Sequence, residues 1–270
     1  MSSTQSAADA ARRLVLEAAL AARTCHIGSS LSLIDLLTVA YLDVLHDPAG
    51  RPDGSAGDRL LLSKGHAASG LYAVLSQAGI LDPAEFVAGY CRDGGTLAGH
   101  PERGYPGVEI TGGSLGHGPS IAVGLALADR HDGDPRRTIC VVGDGELNEG
   151  SVWEAVMLAA HLRLANLTMV VDANGLQGLG SVADVIDMEP LAERFAYCGW
   201  SVREIPGHDH GAIRAALEHG TDGPVVVIAR TVKAYGVDFL EGDVMSHYRS
   251  FGETDRDRLM SALEQERRAA

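Results

Sequence analysis

Apolar residues along this chain alternate between two spacings. Five short runs, Arg59–Ser63, Thr138–Val142, Leu167–Val171, Trp200–Glu204 and Pro224–Ala229, carry near-continuous Val, Ile and Leu, the pattern of strands covered on both faces. Between and after them, residues 66–78, 118–130, 150–162, 189–198 and 209–219 show helical spacing. Ahead of the first run, an Ala-rich amphipathic segment covers 7–23, with Leu14, Leu16 and Leu20 among its apolar positions. Ser30 or Ser32 stands where it could cap a second helix reaching about Leu45. The Pro-, Gly- and Asp-rich segment from Asp47 to Asp58 reads as a surface loop. Alternation of this kind predicts an α/β fold: a parallel sheet of about five or more strands with helices on both faces, as a single domain over 1–270.

Composition sharpens this. With 46% hydrophobic residues and only 5% aromatic ones, the core must be aliphatic, and 33 glycines gathered near predicted helix starts suit loops that wrap a phosphate-bearing ligand. A net charge of −14 argues against nucleic acid or an anionic membrane as partner. The 22 basic residues are 20 Arg and 2 Lys, Lys64 and Lys233, which reads as a lineage bias in codon usage. Cys25, Cys91, Cys140 and Cys198 form no paired motif; three of the four are expected to fill the interior, in a reducing cytoplasm. No signal-peptide pattern and no apolar run of membrane-spanning length is present, so the expectation is a cytoplasmic protein.

Candidate chemistry begins at Thr138-Ile-Cys-Val-Val-Gly-Asp-Gly-Glu-Leu-Asn-Glu-Gly150. An apolar strand ending in Gly143-Asp144-Gly145 puts Asp144 at the carboxyl edge of the sheet, where open α/β sheets bind ligands. The next predicted strand ends at Asp172-Ala-Asn174-Gly-Leu176, after a helix and a return strand, so Asn174 comes back to the same edge. A carboxylate, an amide oxygen and the Leu176 carbonyl there would suit magnesium bound to a diphosphate. The run lacks the third glycine of a dinucleotide fingerprint, and the chain has no P-loop, which disfavours a generic nucleotide-binding domain. The long segment Asp93 to Gly118 has no core pattern, and a loop of that length is usually functional.

GDG followed at this distance by Asn resembles the metal–diphosphate motif shared by thiamine diphosphate enzymes. The resemblance then narrows to transketolases. His26 in Cys-His-Ile-Gly-Ser-Ser, His66 in Ser-Lys-Gly-His-Ala, His100 in Ala-Gly-His-Pro-Glu and His247 in Met-Ser-His-Tyr-Arg all resemble that family's histidine-bearing segments. So do Gly107–Gly118, like its cofactor loop, and Glu149-Gly-Ser-Val-Trp-Glu154. The resemblance covers residues from about 10 to 250. It implies metal binding by Asp144, Asn174 and Leu176. Cofactor contacts would come from Gly113, Leu115, Gly143, Gly145, Glu154, His66 and His247. Catalytic roles fall to His26, His66, His100 and His247, and Glu149 is implied at a subunit contact that couples two cofactor sites. His46, His131, His161, His208, His210 and His219 look solvated or cap-like. Cys25, Lys64, His117 and the Ser-His-Tyr-Arg segment depart from the long enzymes, which leaves the sugar and acceptor open.

The implied cofactors are thiamine diphosphate and magnesium (or calcium or manganese). Family members hold the cofactor between a diphosphate domain and a pyrimidine domain, and only the first is recognisable. Residues 248–270 are charged and helical in character, with Glu253, Glu264 and Glu266 solvated. The expectation is therefore a subunit that joins a C-terminal transketolase-like subunit, two copies of each, through apolar surface beside Gly107–Gly118. Ketol transfer between sugars is the expected activity. The alternatives are another thiamine diphosphate reaction, such as 2-oxo acid decarboxylation or acyloin synthesis, and a non-catalytic assembly subunit.

Overall fold

Five parallel strands form the sheet: β1 (Arg59–Leu62), β2 (Thr138–Gly143), β3 (Leu167–Ala173), β6 (Ser201–Pro206) and β7 (Val225–Arg230), in the order β1-β2-β3-β7-β6. A separate two-stranded hairpin, β4 (Leu176–Gln177) with β5 (Gly180–Ser181), follows β3. The computed structural model describes residues 3–48, 57–218 and 220–269, with side chains to residue 264. Most of the loop expected over Asp47–Asp58, His219, and the Glu266 side chain lie outside the described residues.

Alternation along each strand feeds two cores. Leu60, Leu62, Ile139, Val141, Val225 and Val227 face the helices Ser3–Ala22, Ala68–Gln77 and His210–Glu218, with the shorter helices around them. Leu61, Cys140, Val142, Met169, Val171 and Val226 face His117–Asp132, Gly150–Leu162 and Leu191–Tyr197. Each fully buried aliphatic side chain contributes about 1.5–3 kcal/mol; Tyr72, Phe86 and Tyr90 on one side and Phe195 and Trp200 on the other add the aromatic bulk. All five predicted strands are present, and so are the predicted helices except the second, which is broken. Helix Pro83–Gly89, capped by Asp82, lies outside the predicted set.

Three expectations are corrected. Neither Ser30 nor Ser32 caps a helix N-terminus: Ser30 bonds the Ser69 hydroxyl at 2.7 Å, and Ser32, at the C-terminal end of Ile27–Leu31, donates to Asp172 at 2.6 Å. The helical stretch breaks into Ile27–Leu31, Ile34–Val39 and a wider turn, Ala40–Val44. Of the cysteines only Cys140 is buried; Cys25 and Cys198 are half-buried and Cys91 is exposed, because the latter three fall at turns and not on a strand.

His208 and His210 are not solvated either. Their rings bond the buried Asp35 at 2.8 and 2.9 Å, opposite Arg12, while His208 Nε2 accepts the Val232 N–H at 2.9 Å. Burial alone would raise the Asp35 carboxyl, but Arg12 and the two imidazoles outweigh it and hold it below the usual carboxylate range. A depressed carboxyl stabilises the fold above its unfolded pKa and loses that contribution as pH falls through the folded value. Asp35→Asn should therefore cost about 2 kcal/mol at neutral pH. It should also flatten the acid limb of urea-unfolding stability measured from pH 7 down to pH 3; an unchanged limb would assign acid sensitivity elsewhere.

Candidate active site

At the carboxyl edge, β2 ends in Gly143 and turns at Asp144 into the short helix Gly145–Asn148. Asp144 accepts the Gly145 N–H through Oδ1 (2.8 Å) and the Gly175 N–H through Oδ2 (2.6 Å), which ties the end of β2 to the turn after β3. Asn174 Nδ2 donates to Asp172 Oδ2 at 3.2 Å, and its Oδ1 accepts the Leu176 N–H at 3.1 Å. The Leu176 carbonyl accepts from Lys233 Nζ at 3.3 Å. The three oxygen donors expected from the sequence thus share one corner.

Burial, then the neighbouring Asp172, pushes the Asp144 carboxyl up to about 6, the mark of a buried carboxylate short of positive charge. A hard divalent cation suits this donor set of carboxylate, amide and peptide oxygens. Among the described residues no group of three His, Cys, Asp or Glu could hold a metal, so any site here depends on the amide and the carbonyl.

Under this corner lies a hub that no sequence motif marks. Asp172, fully buried, accepts from Lys64 Nζ, Ser32 Oγ, Thr231 Oγ1 and Asn174 Nδ2. Burial raises its carboxyl, yet Lys64 and these hydrogen bonds outweigh burial and leave it lowered. Lys64 and Lys233, each 2% exposed, are the only lysines in the chain and both sit here. The bias toward Arg read from the sequence gives no reason for this placement.

Glu146 is a second residue absent from the expected set. Buried behind the GDG turn, it accepts the N–H of Gly116 (2.8 Å) and of Gly143 (3.1 Å) as well as the Ser63 hydroxyl. It thereby fastens the long loop to the GDG turn. Gly116 has φ 80°, and a Cβ there would lie 2.7 Å from Glu149 Cβ, so only glycine permits this approach. The loop brings in Gly113, exposed with φ 130°, and the half-buried Leu115. A buried acid inside GDGELN was the available signal for Glu146.

Above the corner the four expected histidines converge. His26 has a left-handed backbone (φ 67°) and donates its N–H to the His247 carbonyl at 3.0 Å. Ring centroids lie 4.7 Å apart for His26–His247, 5.1 Å for His66–His247, 5.6 Å for His26–His66 and 6.2 Å for His26–His100. Burial first, then nearby cationic groups, lowers three of them: Lys64 adds to burial at His66, and burial followed by Lys233 brings His247 to about 4. His26 is lowered by burial, His100 and Lys233. Neutral imidazoles can take or give a proton through either nitrogen. Lys233 itself is brought down to about 8, by burial and then by Lys64.

Glu149 and Glu154 stand apart. Both are exposed on the first turns of Gly150–Leu162, and neither carboxylate has a hydrogen-bond partner among the described residues. His117 is also exposed, its Nδ1 3.2 Å from the Leu115 carbonyl. His46, His131 and His161 are exposed as expected, and Glu253 and Glu264 pair with Arg256 and Arg13 at the surface. A cavity of about 340 Å³ opens on the β7 side of Asp144 and Asn174, bounded by Arg230 and Thr231. No helix among the described residues is long and apolar enough to cross a membrane.

A parallel sheet with a GDG turn, an Asn return and a glycine loop at one edge is the architecture of a thiamine diphosphate-binding domain. Residues 3–268 match the family described as "Transketolase, thiamine diphosphate binding domain", and the chain belongs to that family. It is 34% identical over 240 residues to a subunit of the apulose-4-phosphate transketolase of Phocaeicola vulgatus, covering 88% of this chain and 85% of that protein. It is 35% identical over 266 residues to a 6-deoxy-6-sulfo-D-fructose transketolase subunit of a Clostridium species, covering 97% and 96%. Against the crystal structure of Campylobacter jejuni transketolase the TM-score is 0.85 at 32% identity, over 97% of this chain and 42% of that one. The chain thus spans about two fifths of that transketolase and most of the two subunit relatives.

Proposed function

We propose that this chain is the diphosphate-binding subunit of a two-component transketolase. It moves a two-carbon ketol unit from a ketose to an aldehyde-type acceptor, in the cytoplasm. The observation that carries this is the convergence of His26, His66, His100 and His247 over the Asp144–Asn174 corner. Relatives of nearly equal length that are named as subunits support a separate partner.

In this reading Asp144, Asn174 Oδ1 and the Leu176 carbonyl would hold magnesium (or calcium or manganese), which would supply the positive charge a diphosphate needs. Gly113 and Leu115 meet the cofactor through their backbone, and Gly143 and Gly145 let it approach. Thiamine diphosphate, when bound, supplies the carbanion chemistry. The imidazoles remove a hydroxyl proton from the donor and return one to the acceptor. Lys233, between the Leu176 carbonyl and His247 Nδ1, would add positive charge to this corner. The exposed Glu149 and Glu154 fit contacts with a neighbouring subunit better than contacts with substrate. The pyrimidine domain comes from a C-terminal transketolase-like subunit, with two copies of each chain. Ile121 and Leu127, with Met157 and Leu158, are apolar and exposed on the two helices that follow the cofactor loops, and they offer the docking face.

The test is calorimetry of thiamine diphosphate with magnesium, on the chain alone and on the complex with its co-expressed partner. Metal-dependent binding by the complex, much weaker binding by the lone chain, and ketose turnover by the complex are expected. Turnover of a ketose by the lone chain would sink the two-component reading. No binding by a folded complex would turn it into a non-catalytic subunit.

A further inference from the structure

The β4–β5 hairpin is gripped from two sides. On one side Gln177 Nε2 donates to Asn148 Oδ1 at 3.2 Å, and a Cβ at Gly145 would sit 2.7 Å from Gln177 Cβ, so the hairpin lies directly on the metal turn. On the other, the Tyr248 hydroxyl donates to the Gly178 carbonyl at 2.9 Å, and a Cβ at Gly178 would come within 2.6 Å of that oxygen. The Tyr248 ring meets His247 edge-on with centroids 4.9 Å apart. Lys233, which donates to the Leu176 carbonyl, stands 3.5 Å from His247 Nδ1. One short element therefore joins the carbonyl offered to the metal and an imidazole offered to the substrate.

We propose that Tyr248 is a positioning residue that hangs His247 on this hairpin, so that filling the metal corner sets the orientation of the imidazole. His247 is otherwise held by the His26 N–H on its carbonyl, by the His26 and His66 rings at 4.7 and 5.1 Å, and by Lys233. The short helix that carries it, Val244–His247, is a single turn and by itself does not fix the ring. Tyr248 adds a rigid ring, edge-on to His247, whose far end is pinned to the Gly178 backbone. Half-exposed at 51%, it buries too little surface to serve mainly as core. The chemistry assigned to His247 rests on the proposed function; the contact does not.

Tyr248→Phe removes the hydroxyl bond and keeps the ring; Gly178→Ala disturbs the same contact from the other side. In the co-expressed complex both should lower kcat about tenfold, the scale of a small misplacement of a reacting group. The dissociation constant for thiamine diphosphate should stay within about twofold in both, since the metal ligands are untouched. The His247 ring resonance should differ between wild type and Tyr248→Phe in the metal-free chain. On adding magnesium and thiamine diphosphate to the complex it should move less in the variant. An unchanged resonance in the metal-free chain overturns the contact whatever the cofactor does. Cofactor affinity that falls in step with kcat also overturns it, because Tyr248 would then merely prop the Leu176 carbonyl. A wild-type complex that binds no cofactor sinks the proposed function instead; one that binds normally beside indistinguishable variants sinks only this proposal.

Discussion

Asp144→Ala should remove magnesium-dependent binding of thiamine diphosphate by the complex. The expected loss is at least about a hundredfold in affinity, since removing even a partner behind a metal ligand typically costs ten- to a hundredfold. The carboxylate is the only anionic donor of the three placed at this corner, and two amide-type oxygens do not retain a divalent cation against water. Its proton gives a second signature. Burial and Asp172 push the carboxyl up to about 6, so below that pH the metal must displace a proton, and affinity should fall about tenfold per pH unit. The raised carboxyl also makes the metal-free fold gain stability as pH falls through that value, which is the opposite sense to Asp35. Calorimetry from pH 5 to pH 8 tests both statements. If Asp144→Ala keeps the slope, the titrating group is another residue.

His100→Ala should act on a different quantity. We expect cofactor affinity within about threefold of wild type, with turnover of the complex lower by roughly two or more orders of magnitude if the imidazole moves a proton. His100 is the cleanest of the four to remove. His26, His66 and His247 pack on one another with centroids within 5.6 Å, whereas His100 reaches only His26, at 6.2 Å, from the long loop. Its loss therefore disturbs the others least. Steady-state kinetics with a ketose donor, paired with calorimetry, separates the outcomes. Parallel loss of binding and turnover would show that His100 holds the cofactor and not the substrate.

The sheet was legible because burial on both faces writes each strand as an unbroken apolar run; helix Gly150–Leu162 fell within its predicted bounds for the same kind of reason. Asp144 and Asn174 were legible because a βαβ unit fixes where both strands end. The supporting residues were not. Ser32 meets Asp172 across 140 positions and Asp35 meets His208 across 173, and no local periodicity reports a partnership at that range. Ser32 looked like a cap because hydroxyls near helix starts usually are, yet a buried aspartate needed the donor more. His208 and His210 looked solvated because their segment is polar, although Arg12 and Asp35 wait beneath it. The helix Pro83–Gly89 had a visible start in Asp82-Pro83, where the Asp82 side chain accepts the N–H groups of Ala84 and Glu85. It was too short to show an apolar stripe.

The placement of the two lysines has a practical consequence. With twenty arginines bearing every other side-chain positive charge of fixed pKa, nitrogen-15 supplied only as lysine yields two side-chain signals from a 270-residue chain. One comes from the ammonium beneath Asp172, the other from the ammonium beside His247. Isotope chemistry alone thus turns this subunit into a spectroscopic probe of its own cofactor corner, with no background from the surface.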